Sequence, residues 1–229
     1  MIGVKFDDKH SLHDLGLFLQ TFTIGVPEVK RQLVDIQGVQ GSLDLSETLE
    51  ETFYNNRLLT FEFVSKKDTK EALVLLSRVE AYLHGKVMEV VLDDDPRFYY
   101  KGMVSVNSFK TEKRLGYLVI DVDAEPYKYE INFTGSDWLW DPFDFETGII
   151  KLSSIDVSGS KTVDLLNRAM ITSPVFTATK PMKVKFNNIT YNLPAGRTKV
   201  YDIRLREGSN LVTFIGNGRV QIEYKGGVL

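Results

Sequence analysis

The chain has 229 residues, 43% hydrophobic and 26% charged, which is room for one large domain or two smaller ones and a mix that excludes a fibre or long disorder. Its 28 basic and 31 acidic residues leave a net charge of −3, against a surface built to grip phosphate backbones. Cysteine is absent, which excludes disulfides and thiolate metal sites, and no apolar run or basic leader reads as a membrane span or signal peptide, so the expectation is a soluble chain folded in the cytoplasm.

Near the N-terminus His10 and His13 lie three apart beside Asp7, Asp8 and Asp14. The residue types suit a metal, but the segment is short and polar and reads as a solvated loop entering the first strands, so no metal site is assigned. The next clear element is at 56–65, NRLLTFEFVS. Leu59, Phe61 and Phe63 point one way and Thr60, Glu62 and Val64 the other, the period of a half-buried strand.

From Asp68 the pattern changes. Ala72, Leu75, Leu76, Val79 and Leu83 fall at helical spacing, predicting a helix of about four turns. Asp68 and Glu71 have capping-box spacing, Gly85 is placed as a left-handed stop, and His84 reads as a cation favoured at the helix C-terminus.

Strand alternation returns at 86–92, 98–106 and 115–122. Between the first two, Asp93-Asp94-Asp95-Pro96 predicts a hairpin turn whose charges also discourage edge pairing, and it lacks the spacing of a calcium loop. Glu125-Pro126-Tyr127 closes a strand, and Thr134-Gly135-Ser136-Asp137 is loop-like. The composition shift there predicts a first domain over 1–131 and a second over 132–229.

Trp138 and Trp140, flanked by Asp137 and Asp141, share one face by alternation. An aromatic pair beside carboxylates can stack on a sugar ring, and it can equally seal a core or a domain junction. In the second domain 183–191 reads as a hairpin turning at Asn187-Asn188, residues that reach positive φ. Gly216-Asn217-Gly218 begins a dinucleotide-binding pattern, but position 221 is Gln and a strand follows at 219–224, so the reading is another hairpin turn.

No nucleophile elbow, phosphate loop or zinc-protease motif is present. No catalytic residue, metal ligand or cofactor is assigned. The carboxylates Asp44, Glu47, Glu50 and Glu51 have no spacing that makes a glycosidase pair. The fold expected is mostly β with one long helix.

Taken together, the motifs resemble the distal tail proteins of phages with long non-contractile tails. The resemblance rests on Phe6, Ser11, Asp14-Leu15-Gly16-Leu17, Val34-Asp35-Ile36-x-Gly38, Gly41-x-Leu43-Asp44-Leu45-Ser46-Glu47, Tyr54, Asn56-Arg57 and Phe61-x-Phe63. It continues through the helix, Pro126-Tyr127-x-Tyr129, Leu205-x-x-Gly208-x-Asn210 and Gly216-x-Gly218-x-Val220-x-Ile222-x-Tyr224. Gln37 stands where many members carry Pro, and the second domain has no room for a long inserted arm.

The resemblance implies a structural hub of the tail tip rather than an enzyme, located in the virion and made in the host bacterial cytoplasm. It implies an N-terminal α+β domain that builds a homo-hexameric ring, and a galectin-like or carbohydrate-module-like β-sandwich after it. The implied partners are the tail tube protein, the tail-tip protein (tail-associated lysin or fibre) and receptor-binding proteins, with no membrane and no specific nucleic acid. Gly16, Asp35, Gly38, Gly41, Asp44, Tyr54, Asn56 and Arg57 carry the ring-domain motif. The alternative is a carbohydrate-binding β-sandwich protein using Trp138 and Trp140, with a β-sandwich glycosidase behind it.

Overall fold

The computed structural model describes residues 2–31, 33–35, 37–38, 40–44, 52–67, 69–112, 115–131 and 154–229. They divide into two compact units, Met1–Lys128 with Leu229, and Tyr129–Val228. Among the described residues no helix is long and apolar enough to cross a membrane.

The first unit contains β1 (Val4–Phe6), β2 (Lys9–His10), β3 (Phe18–Ile24), β4 (Leu33–Asp35), β5 (Ser42–Asp44), β6 (Arg57–Ser65), α1 (Thr69–Leu83), β7 (Lys86–Leu92), β8 (Phe98–Glu112) and β9 (Leu115–Ala124). The boundary between the units falls within β10 (Lys128–Glu130). The main sheet runs β2-β1-β7-β8-β9-β6-β3, antiparallel at every step. β4 and β5 form a separate two-stranded hairpin.

Alternation explains the core. Leu59, Phe61 and Phe63 of β6 are buried with Val4, Phe6, Val90, Val104, Ile120 and Val122. Phe6 meets Phe61 edge to face, with ring centroids 6.1 Å apart, so β1 and β6, distant in the sheet order, share one core. The helix joins it as its periodicity predicts: Val79 and Leu83 belong to the core, Leu75 and Leu76 pack against it, and Ala72 is buried. Asp68, the expected cap, lies outside the described residues. Gly85 takes a φ of 75° directly after the helix, where the chain turns into β7 and the Gly85 N–H donates to Val104 O.

His84 Nδ1 accepts the Val106 N–H at 3.1 Å, which ties the residue after the helix to the β8 backbone. The acidic turn joins β7 to β8 as expected and also makes contacts of its own. Asp93 accepts the Gly3 N–H at 2.7 Å and faces His10 Nε2 at 3.1 Å, and Asp95 pairs with Lys128 Nζ at 2.6 Å. Two of the three aspartates therefore pin other segments in place.

The second unit contains β11 (Ser154–Asp164), β12 (Val175–Ala178), β13 (Met182–Phe186), β14 (Ile189–Leu193), β15 (Gly196–Lys199), β16 (Leu211–Glu223) and β17 (Gly227–Val228). Its sheet runs β14-β13-β16-β12-β15, with β11 also on β16. Phe176, Val184, Ile203, Leu205, Val212, Phe214, Val220 and Ile222 are fully buried in one core. Asn187 and Asn188 turn the β13–β14 hairpin at φ 45° and 65°, as expected of a tight turn.

Gly216-Asn217-Gly218 is not a turn. These residues lie inside β16, which pairs with β11 along its length. At this point β16 changes its other neighbour: residues 213–215 pair with β13 and residues 220–223 with β12. The β12–β13 connection crosses over the glycines, leaving no space for side chains. Glycine is required there for close approach, not for reversal of the chain.

Candidate functional site

The eight motif residues fall in three places of the first unit. Gly16 lies in the loop after β2, at φ 66°, beside buried Ser11, whose hydroxyl accepts the Val4 N–H at 3.1 Å. This loop seats Leu15 and Leu17 in the core and leaves His13 and Asp14 exposed.

Asp35, Gly38, Gly41 and Asp44 belong to the β4–β5 hairpin. Asp35 stands opposite Ser42 in register, and the Ser42 hydroxyl donates to its carboxylate at 2.6 Å. Gly38 and Gly41 take φ of 88° and 86°, the left-handed region in which other residues are strained. They let the chain reverse between the two strands. Asp44 is opposite Leu33. The described residues of β4 are exposed, Leu33 and Val34 included. An isolated two-stranded hairpin is marginal in water.

Tyr54, Asn56 and Arg57 enter β6. Tyr54 bridges to Val29, and its ring meets Tyr127 edge on at 5.9 Å. Burial, and then the neighbouring Tyr54, push the Tyr127 phenol above its ordinary value. Asn56 is exposed.

Arg57, opposite Ala124, faces inward and is only 6% exposed. Its guanidinium carbon lies 5.7 Å from the centre of the Tyr100 ring, and its Nε has no hydrogen-bond partner among the described residues. Taking a guanidinium out of water carries a desolvation cost. Stacking on an aromatic face recovers part of that, about 0.5–2 kcal/mol.

Among the described residues no group of three or more His, Asp or Glu side chains is placed to hold a metal ion. His10 and His13 stack at 4.6 Å, yet His10 Nδ1 accepts the Leu12 and His13 N–H groups while its Nε2 faces Asp93. Both ring nitrogens are engaged within the unit. Trp138 and Trp140 lie outside the described residues. Sequence reasoning missed the His10–Asp93 contact, which joins positions 83 apart, and Tyr100 beneath Arg57, for which only the core-facing parity of Arg57 was a signal.

No protein-family model matches this chain, and no curated protein sequence does. The chain is similar to the crystal structure of the Dit (gp 19.1) protein of phage SPP1, described as a paradigm of the hub adsorption apparatus in phages that infect Gram-positive hosts. The likeness has a TM-score of 0.67 at 14% identity and covers 100% of both chains. The resemblance read from the order of the motifs holds at the level of fold: the chain is similar in fold to that phage hub protein.

Proposed function

We propose that this chain is a structural, non-enzymatic hub of a phage tail tip. Six copies close a ring that joins the tail tube to the tail-tip protein and the adsorption machinery, in the virion. The observation that carries the reading is the full-length likeness to a phage hub protein. In this reading residues 1–131 build the ring, and residues 132–229 form an outward, galectin-like β-sandwich offered to baseplate or receptor-binding partners.

The geometry supports a ring contact at the β4–β5 hairpin and the start of β6. The hairpin presents exposed Leu33 and Val34, as an arm would that is completed by a neighbour. Close by in sequence, Arg57 is a buried cation whose Nε lacks a partner among the described residues, suited to a bidentate pair with a carboxylate such as Asp44 of its own or an adjacent copy. A contact that continues a tube is head to tail, and its rotation must close after six copies. Negative-stain electron microscopy of the purified chain, alone and with tail tube protein, tests this: sixfold rings are expected, and a field of single chains under both conditions contradicts it.

A further inference from the structure

The outward face of the first sheet is polar over much of its extent. Thr23, Thr60, Asp121 and Ser105 stand side by side by register, and Thr60 Oγ1 donates to Asp121 Oδ1 at 2.8 Å. One row departs from this. Register aligns Leu58 with Asp123, Asp123 with Met103, and Met103 with Val87. Leu58, Met103 and Val87 are 55%, 49% and 59% exposed. Three large aliphatic side chains thus lie in line across four strands, ~15 Å at the usual strand spacing, with the exposed Asp123 carboxylate among them. A single exposed leucine is ordinary, but three in register make a patch.

The opposite side of the same unit carries a matching surface. α1 covers the inner face of the sheet through Val79 and Leu83, and its outer side holds Leu73 and Val74, 51% and 56% exposed. Val74 sits in a shallow groove with Lys67, Lys70, Glu71 and Arg78. Lys70, Val74 and Arg78 are four residues apart on one stripe, so two cations flank an apolar residue over ~12 Å of helix.

We propose that these two faces are the two halves of one contact between copies of this chain, with α1 of one copy lying across the Leu58–Asp123–Met103–Val87 row of the next. This rests on the ring reading and names a surface within it. The apolar residues of the helix cover the aliphatic row, and Lys70 and Arg78 meet Asp123, with exposed Glu62 further along the same face. The two faces lie on opposite sides of one unit, so a copy cannot satisfy itself and the contact is head to tail by construction. A separate acidic peptide in the groove would leave the sheet row bare, whereas a second copy covers both.

The absence of native cysteine makes the test clean. The full chain carrying Val74→Cys and Met103→Cys is treated with a short bis-maleimide at a concentration where light scattering shows the ring. A ladder of linked chains up to six is expected, while either single-cysteine variant gives at most background, as a head-to-tail contact requires. In parallel, Lys70→Glu with Arg78→Glu should raise the concentration needed for assembly at least tenfold, and adding Asp123→Lys should recover most of it, with circular dichroism unchanged throughout. A ring that forms without a ladder and ignores the charge reversals overturns this contact and leaves the ring reading standing. A wild-type chain that forms no ring, alone or with tail tube protein, overturns both.

Discussion

A Cβ built on Gly216 would stand 2.7 Å from the Cβ of Met182, closer than real Cβ atoms approach one another. The contact arises where β16 passes from β13 to β12 beneath the crossing connection, and Gly216 has a φ of 146°, which side chains disfavour. Gly216→Ala should therefore destabilise the second unit by about 2–3 kcal/mol, from overpacking plus backbone strain. Gly218→Ala should cost less, because its nearest atom is the rotatable Thr179 Oγ1 at 2.9 Å. Urea unfolding followed by circular dichroism measures both. A loss below about 0.5 kcal/mol for Gly216→Ala contradicts the crossing geometry.

The glycine pair also marks where sequence reading stops. Gly-Asn-Gly has the local chemistry of a turn, and only the distant register of β12 and β13 shows it to be a strand under a crossing chain. Strands with one dry face, such as β6 and β7, were legible from their alternation, and α1 from its periodicity. β3 was not: its residues are half-buried or exposed, and an edge strand without a dry face carries no alternation. β11 reads as polar because its middle residues are exposed, and what defines it is pairing with β16 some fifty residues on. At the candidate site the motif residues were named by resemblance. Their separation into three places, and Tyr100 beneath Arg57, are consequences of tertiary packing.

Phe61 is fully buried among Phe6, Phe22 and Phe63. Phe61→Ala should cost about 3–5 kcal/mol, the transfer loss plus the cavity. Phe61→Leu, which retains most of the volume, should cost distinctly less. Equal losses for the two variants would show that the aromatic cluster is not the packed centre of the first unit.

Tyr224 donates its hydroxyl to Leu166 O at 2.7 Å, and burial, then the Asp164 charge, push its phenol up to about 12. An unfolded tyrosine ionises near its ordinary value of 10.0, so the folded chain holds the proton more tightly. This contribution is fully present below pH 10 and is lost as the pH rises through about 12, amounting to about 2–3 kcal/mol over that window. Tyr224→Phe should lose about 1 kcal/mol at neutral pH and flatten the alkaline decline of the second unit. An unchanged alkaline profile in the variant contradicts this assignment.

Arg57 offers a sign test. Replacing a buried ionic side chain by an apolar one of similar volume is often neutral or stabilising for the chain itself. Arg57→Met should leave the unfolding free energy of the monomer unchanged or raise it, while weakening assembly at least tenfold. A variant that loses several kcal/mol of monomer stability with its assembly intact would place the partner of Arg57 within its own subunit.

The central claim is the ring, and the solution mass tests it most directly. Light scattering coupled to size exclusion, at high protein concentration and with purified tail tube protein in a second run, should give about 157 kDa, six times the 26.1 kDa chain, or twice that for two rings face to face. A mass that stays at 26.1 kDa at high concentration, from a chain that also fails to bind tail tube protein, contradicts the account.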